Sequence, residues 1–158
     1  MKHSAKTGIG FGLTSAVITT LGLMVGVNAG THSRVAVIGS ILTVTVADSF
    51  SDALGVHILE ESQGRYSHST VWSSTIYTFI SKILIGCTFV LPLLILNLPT
   101  AIIISMVWGF MLLGVFSYYI GISEEKKTWK VIMEHEIIAI IVVFISHYVG
   151  VIISLLIA

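Results

Sequence analysis

The chain has 158 residues, with eight Lys+Arg and eight Asp+Glu, so it carries no formal net charge. Hydrophobic residues make up 55% and charged residues only 10%, against about 25% charged in a soluble domain. This composition, with a mean hydropathy of +0.99, excludes a soluble globular domain and a basic nucleic-acid binder, and the lone Cys87 excludes an intrachain disulfide or a thiolate metal cluster.

A membrane-spanning helix needs roughly 20 apolar residues. Five stretches meet that need: residues 8–27, 35–59, 71–96, 101–122 and 131–158. The expected fold is therefore an all-α, multi-pass integral membrane protein with one domain over residues 1–158. Lys2 and Lys6 precede an apolar run ending Val27-Asn28-Ala29, which loosely imitates a signal peptide. That run is longer than the roughly 7–15 residues of a signal core, and its Gly, Thr and Ser suit a packed membrane helix, so we read it as a retained span. Gly22 and Gly26, with Ser15 and Thr19 below them, form a small-residue stripe that fits either internal packing or a dimer seam.

The second span carries Asp48 and Asp52 one helical turn apart, on one face. Acids at this depth are costly in lipid and mark ion or proton paths by default. In the third span the first half, residues 71–82, is polar and is expected to begin outside the hydrocarbon, while Pro92 is a candidate kink. Asn97-Leu98-Pro99-Thr100 reads as a tight hairpin into the fourth span. The fifth span holds Glu136 and His147, 11 residues and close to three turns apart, hence on one face.

Basic residues set the expected orientation. Lys2, Lys6, Arg65, Lys126, Lys127 and Lys130 fall on one side and Arg34 alone on the other. The N-terminus is thus expected in the cytoplasm and the C-terminus outside.

At about 1.5 Å per residue, Lys82 is placed at a depth between Asp48 and Asp52, and His147 near the depth of Asp48. Four titratable side chains from three helices are therefore expected to converge, with Lys82 as counter-charge. His57 is out of phase with Asp48 and a poorer partner. Carboxylates and imidazole bind divalent cations and carry protons. Two neighbouring acids resist joint ionisation, so a cation that binds them releases protons. A purely structural salt bridge to Lys82 is the alternative, although one lysine cannot cancel two carboxylates. Glu60, Glu61 and Glu134 lie near the cytoplasmic mouth, where solvated helix ends explain them as well as cation attraction does. No nucleophile–base pair or HExxH motif is present, so no enzyme is expected.

Gly12-Leu13-Thr14-Ser15, with Gly22 and Gly26 further on, resembles the first helix of the vacuolar iron transporter family. Ser51, Ala53 and Gly55, then Ile58, Ser62 and Gln63, are similar to that family's S-x-A-x-G and I-x-x-x-S-Q stretches. Leu113-Gly114 and Tyr148-Val149-Gly150 extend the likeness to the last two spans. The resemblance implies a homodimer in a prokaryotic plasma membrane that exports Fe2+ or Mn2+ against protons. Its pathway would be lined by the first two helices, with metal as substrate and no permanently bound cofactor. The chain departs from the family at Phe11, where the family has an aspartate, at Asp52, where it has methionine, and at Val56, where it has glutamate. The cytoplasmic metal-binding domain of the plant members has no counterpart between residues 60 and 70.

These readings combine into a divalent-cation exporter with Asp48 and Asp52 as the central site and Glu136 and His147 as relays. A proton-coupled carrier of another substrate and a non-transporting membrane scaffold are the rivals.

Overall fold

The computed structural model describes residues 3–157. Lys2 of the basic set and Ala158 of the fifth predicted span lie outside the described residues. Six helices follow in order: α1 (His3–Thr31), α2 (Arg34–Gln63), α3 (His68–Thr88), α4 (Val90–Ile95), α5 (Leu98–Ser123) and α6 (Thr128–Ile157). No strand occurs among the described residues.

Five helical stretches are long and apolar enough to cross a membrane, with α3 and α4 together forming the third, His68–Ile95. Each has 26–30 residues, or about 39–45 Å at 1.5 Å per residue. That exceeds a hydrocarbon core of roughly 30 Å, so each of the five stretches is long enough to span such a layer.

The sequence explains where the helices start and stop. The side chains of Ser33, Ser67 and Asn97 accept from the backbone N–H groups of Ala36, Thr70 and Thr100, capping α2, α3 and α5. Gly64, at φ 60°, ends α2 in the left-handed conformation. Between α3 and α4 the helix breaks at Phe89. Pro92 lacks the N–H that would bond the Thr88 carbonyl, and its ring crowds that carbonyl. Arg34 closes the opposite end of the bundle, donating to the Leu96 carbonyl at 2.6 Å.

α1 is the central helix and packs against α2, α3, α5 and α6. The pair α2–α3 lies on one flank and α5–α6 on the other, and the short α4 touches α2, α3 and α5. Close approach to α1 relies on glycine. A Cβ on Gly8 would stand 2.9 Å from the Thr78 backbone nitrogen, and one on Gly26 would stand 3.0 Å from the Ser146 carbonyl. Gly22 and Gly26 are therefore the internal seam between α1 and α6. The core around α1 is apolar and includes Val17, Leu21, Met24, Ile41, Phe89, Leu93 and Leu113. Of the polar residues in 71–82, Ser74, Thr78 and Lys82 are buried within the bundle and Ser73, Thr75 and Ser81 are half-buried.

Candidate functional site: an ion cluster between α1, α2 and α3

The membrane-depth acids of α2 meet a single cation from α3. Lys82 Nζ donates to Asp48 Oδ2 at 2.8 Å, to Asp52 Oδ2 and to Ser15 Oγ at 2.8 Å. Ser15 Oγ in turn donates to Asp52 Oδ2 at 2.6 Å. Ser15 thus belongs to the ion cluster and not to the glycine seam with which its spacing grouped it. Thr19 likewise lines the small void beside Asp48 and Lys82, as well as the groove toward α6.

Exposure divides the cluster. The Lys82 side chain is 2% exposed, while Asp48 is 33% and Asp52 20% exposed. Lysine is almost never this buried unless paired, and here its partners come from two other helices. The void beside Asp48 and Lys82 admits no water molecule. Beside the two acids on α2, Ala47 and Ser51 are exposed, so the half-buried carboxylates sit at the edge of that helix's outer face. With both acids ionised, the cluster carries one uncompensated negative charge.

That outer face has a pattern that the hydrophobic reading of the span obscured. Gly39, Thr43, Ala47, Ser51 and Gly55, spaced by four, are all exposed. A Cβ on Gly39 or Gly55 would meet nothing within 4 Å. The row of small residues runs beside Asp48 and Asp52 along the same helix.

Two predicted members do not join the cluster. His147 is exposed and lines a cleft with Val25, Asn28, Met106 and Phe110, between α1, α5 and α6. Glu136 is half-buried on the α5 side, where a Cβ on Gly114 would stand 3.1 Å from its Oε1. The expected convergence of four titratable groups is thus corrected to three, Asp48, Asp52 and Lys82. The physical reason is that α6 packs against α1 and α5 on the other flank. Matching depth along the helices did not fix the angular position around α1. His57, as its phase implied, turns elsewhere: its Nδ1 lies 3.0 Å from Thr75 Oγ1.

The end of the bundle where α1 begins holds Lys6, Arg65, Lys126, Lys127 and Lys130, and Glu61 and Glu134 are exposed there. Lys6 pairs with Glu124, and this ion pair holds the Glu124 carboxyl below its usual range. Glu60 departs from the expected solvated helix end. Its side chain is only 4% exposed, and His3 Nε2 lies 3.1 Å from its Oε1. α2 runs one turn further than the sequence reading allowed, to Gln63, and in that turn Glu60 alone faces the bundle while residues 61–63 are exposed. Among the described residues no three His, Cys, Asp or Glu side chains gather into a ready metal cage.

The fold and the cluster define an all-helical protein with five helical stretches long and apolar enough to span a membrane and, between three of them, an Asp–Asp–Lys triad. Compared with known proteins, the chain matches no family model, no curated protein and no solved structure.

Proposed function

We propose that this chain is a proton-coupled exporter of a divalent cation, with Fe2+ or Mn2+ the favoured cargo, acting as a homodimer. The observation that carries the reading is the two carboxylates of Asp48 and Asp52 sharing the single Lys82 ammonium while their outer sides stay open. Intramembrane acids seldom face lipid. The open face of α2 therefore calls for a cover, and its row of small residues suits close helix contact with a second copy. Each copy would bring its own acid pair to that seam. This arrangement agrees with the family resemblance of α1 and α2, in which the pathway runs along the dimer interface.

Charge balance gives the coupling. In a low-dielectric site the empty cluster is neutral when Lys82 is protonated and the two acids hold one proton between them. A divalent cation bound by both carboxylates satisfies the same balance once the shared acid proton and one proton of the Lys82 ammonium both leave. Cation binding and proton release are then one event. Asp52 would be the principal ligand, Asp48 would share the ion, and Lys82 would act as a tethered stand-in for the metal. The excess of basic residues where α1 begins supports a cytoplasmic N-terminus and outward transport.

One observation favours the scaffold reading instead: Lys82 is sealed, and the void next to it is too small for water. Reconstitution separates the two. Protein in liposomes carrying a metal-sensitive dye and a pH dye should show opposed metal and proton fluxes, both lost in Asp52→Asn with folding retained. Absence of flux for Fe2+, Mn2+, Co2+ and Zn2+ in the unaltered protein would leave the triad a structural clamp.

A further inference from the structure

A second polar site lies nearer the end of the bundle where α1 begins, between the same three helices. Glu60, in the last turn of α2, is buried with one oxygen turned to His3 Nε2. Its other oxygen, Oε2, is buried and has no hydrogen-bond partner. Ser74 Oγ on α3 is also buried and without a partner.

The helix register places these two atoms together in depth. α2 and α3 run antiparallel, and two contacts fix their alignment: Asp52 with Lys82, and His57 with Thr75. Counting eight residues from Asp52 reaches Glu60, and counting eight back from Lys82 reaches Ser74. Both steps cover about 12 Å. On α1 the same step from Ser15 reaches Thr7, whose Oγ1 is 3.4 Å from His3 Nε2. The His3 ring stacks on Tyr66, with centroids 4.2 Å apart and planes 15° from parallel. His3 and Thr7 also line an open cleft of about 580 Å³ with Lys6, Glu124 and His135.

A carboxylate buried beside the C-terminal end of its own helix gains nothing from the helix dipole. With a lone-pair face unsatisfied, it costs free energy unless something cationic or a donor fills the gap. Its nearest neighbour is an imidazole nitrogen, and a hydroxyl and a stacked aromatic ring hold that nitrogen in place. Oxygen and imidazole donors together suit borderline first-row divalent ions better than Na+, K+ or Mg2+.

We propose that His3 Nε2 and Glu60 Oε2 form a second divalent-cation site, with the hydroxyls of Thr7 and Ser74 as supporting oxygens and water completing the shell. The cation enters from the open cleft and replaces the His3–Glu60 hydrogen bond. Two side-chain ligands make a loose site, which suits hand-over to Asp52 about 12 Å further along. The proposal deepens the transport reading, but the site binds metal whether or not the aspartates conduct it.

The test uses the full-length protein in nanodiscs with Mn2+ as probe and pulsed electron paramagnetic resonance to detect imidazole ¹⁴N coupled to the metal. The unaltered protein should show that coupling. His3→Gln and Glu60→Gln should each abolish it, Ser74→Ala should weaken it, and Asp52→Asn should leave it intact. His3 is partly exposed at the start of its helix, so His3→Gln keeps the fold if Glu60→Gln does not. Coupling that persists in both ligand variants, or no coupling in the unaltered protein, overturns the site. Loss of transport in Asp52→Asn with the coupling retained would separate the two metal positions, whereas absence of transport with coupling present would sink only the exporter reading.

Discussion

The Lys82 ammonium lies 2.8 Å from Asp48 Oδ2, yet the lysine is 2% exposed and the aspartate 33%. The cation of this pair is locked inside the bundle and the anion looks out of it. The asymmetry leaves the acids more accessible than the lysine that pairs with them.

Removing the counter-charge should destabilise the fold. Lys82→Met leaves two acids facing each other at depth without a cation, and breaking a buried pair costs about 3–5 kcal/mol. We expect a clear drop in melting temperature in detergent. The triple variant Asp48→Asn, Asp52→Asn, Lys82→Met should recover most of it. A triple variant as unstable as Lys82→Met alone would show that packing around the lysine stem, and not charge, is what matters.

Ser15→Ala tests the smaller link. It deletes the hydroxyl that donates to Asp52 and accepts from Lys82. A hydrogen bond to a charged group contributes about 1.5–3 kcal/mol. Denaturant titration should show a loss of that size. Metal flux should fall but persist, in contrast to Asp52→Asn.

Two glycine substitutions should act on different levels of structure. Gly150→Leu drives a side chain into Ala29, whose Cβ would lie 3.0 Å from the added Cβ. Overpacking of this kind costs about 1–3 kcal/mol, so the monomer itself should melt earlier. A Cβ on Gly55 would meet nothing within 4 Å and the position is exposed, so Gly55→Leu should leave the monomer folded. Cross-linking and light scattering should then show a loss of dimer. An unchanged dimer in Gly55→Leu would place the seam elsewhere.

The Lys6–Glu124 ion pair gives a pH dependence of known sign. Hydrogen bonding and attraction from Lys6 lower the folded carboxyl below its usual 4.5. A depressed carboxyl stabilises the folded state fully above the unfolded value. That contribution fades as pH falls through the lower folded value. Lys6→Gln should flatten the stability profile below about pH 5 and leave neutral pH nearly untouched, because exposed pairs contribute little. Melting curves across pH 3–7 would read this directly.

The fold was legible because its signal is cumulative. Five long apolar stretches, the hairpin at Asn97–Thr100 and the break before Pro92 each act locally. The depth match of Lys82 with Asp48 and Asp52 also followed from counting along antiparallel helices. What counting cannot supply is the order of helices around α1. His147 and Glu136 share a face of α6, but α6 sits beside α5, so that face never meets α2. Ser15 was misgrouped for a related reason. Four-residue spacing identified a small stripe but not that α3 brings a lysine to one of its members. The burial of Glu60 was hidden by an end effect, since α2 continues one turn past its last apolar residue, Leu59.

Apart from Gly10, which faces Phe116 of α5, the glycines of α1 fall into two groups along its length. Gly8 and Gly12 lie against α3, and Gly22, Gly26 and Gly30 lie against α6. At these places side chains of the flanking helices seat against bare α1 backbone, Ser81 at Gly12 and Val142 at Gly22. The helix is therefore gripped by one partner over its first half and by another over its second. Any side chain larger than hydrogen at these points would prise a flank away from the central rod, so assembly of the bundle is keyed to these five positions.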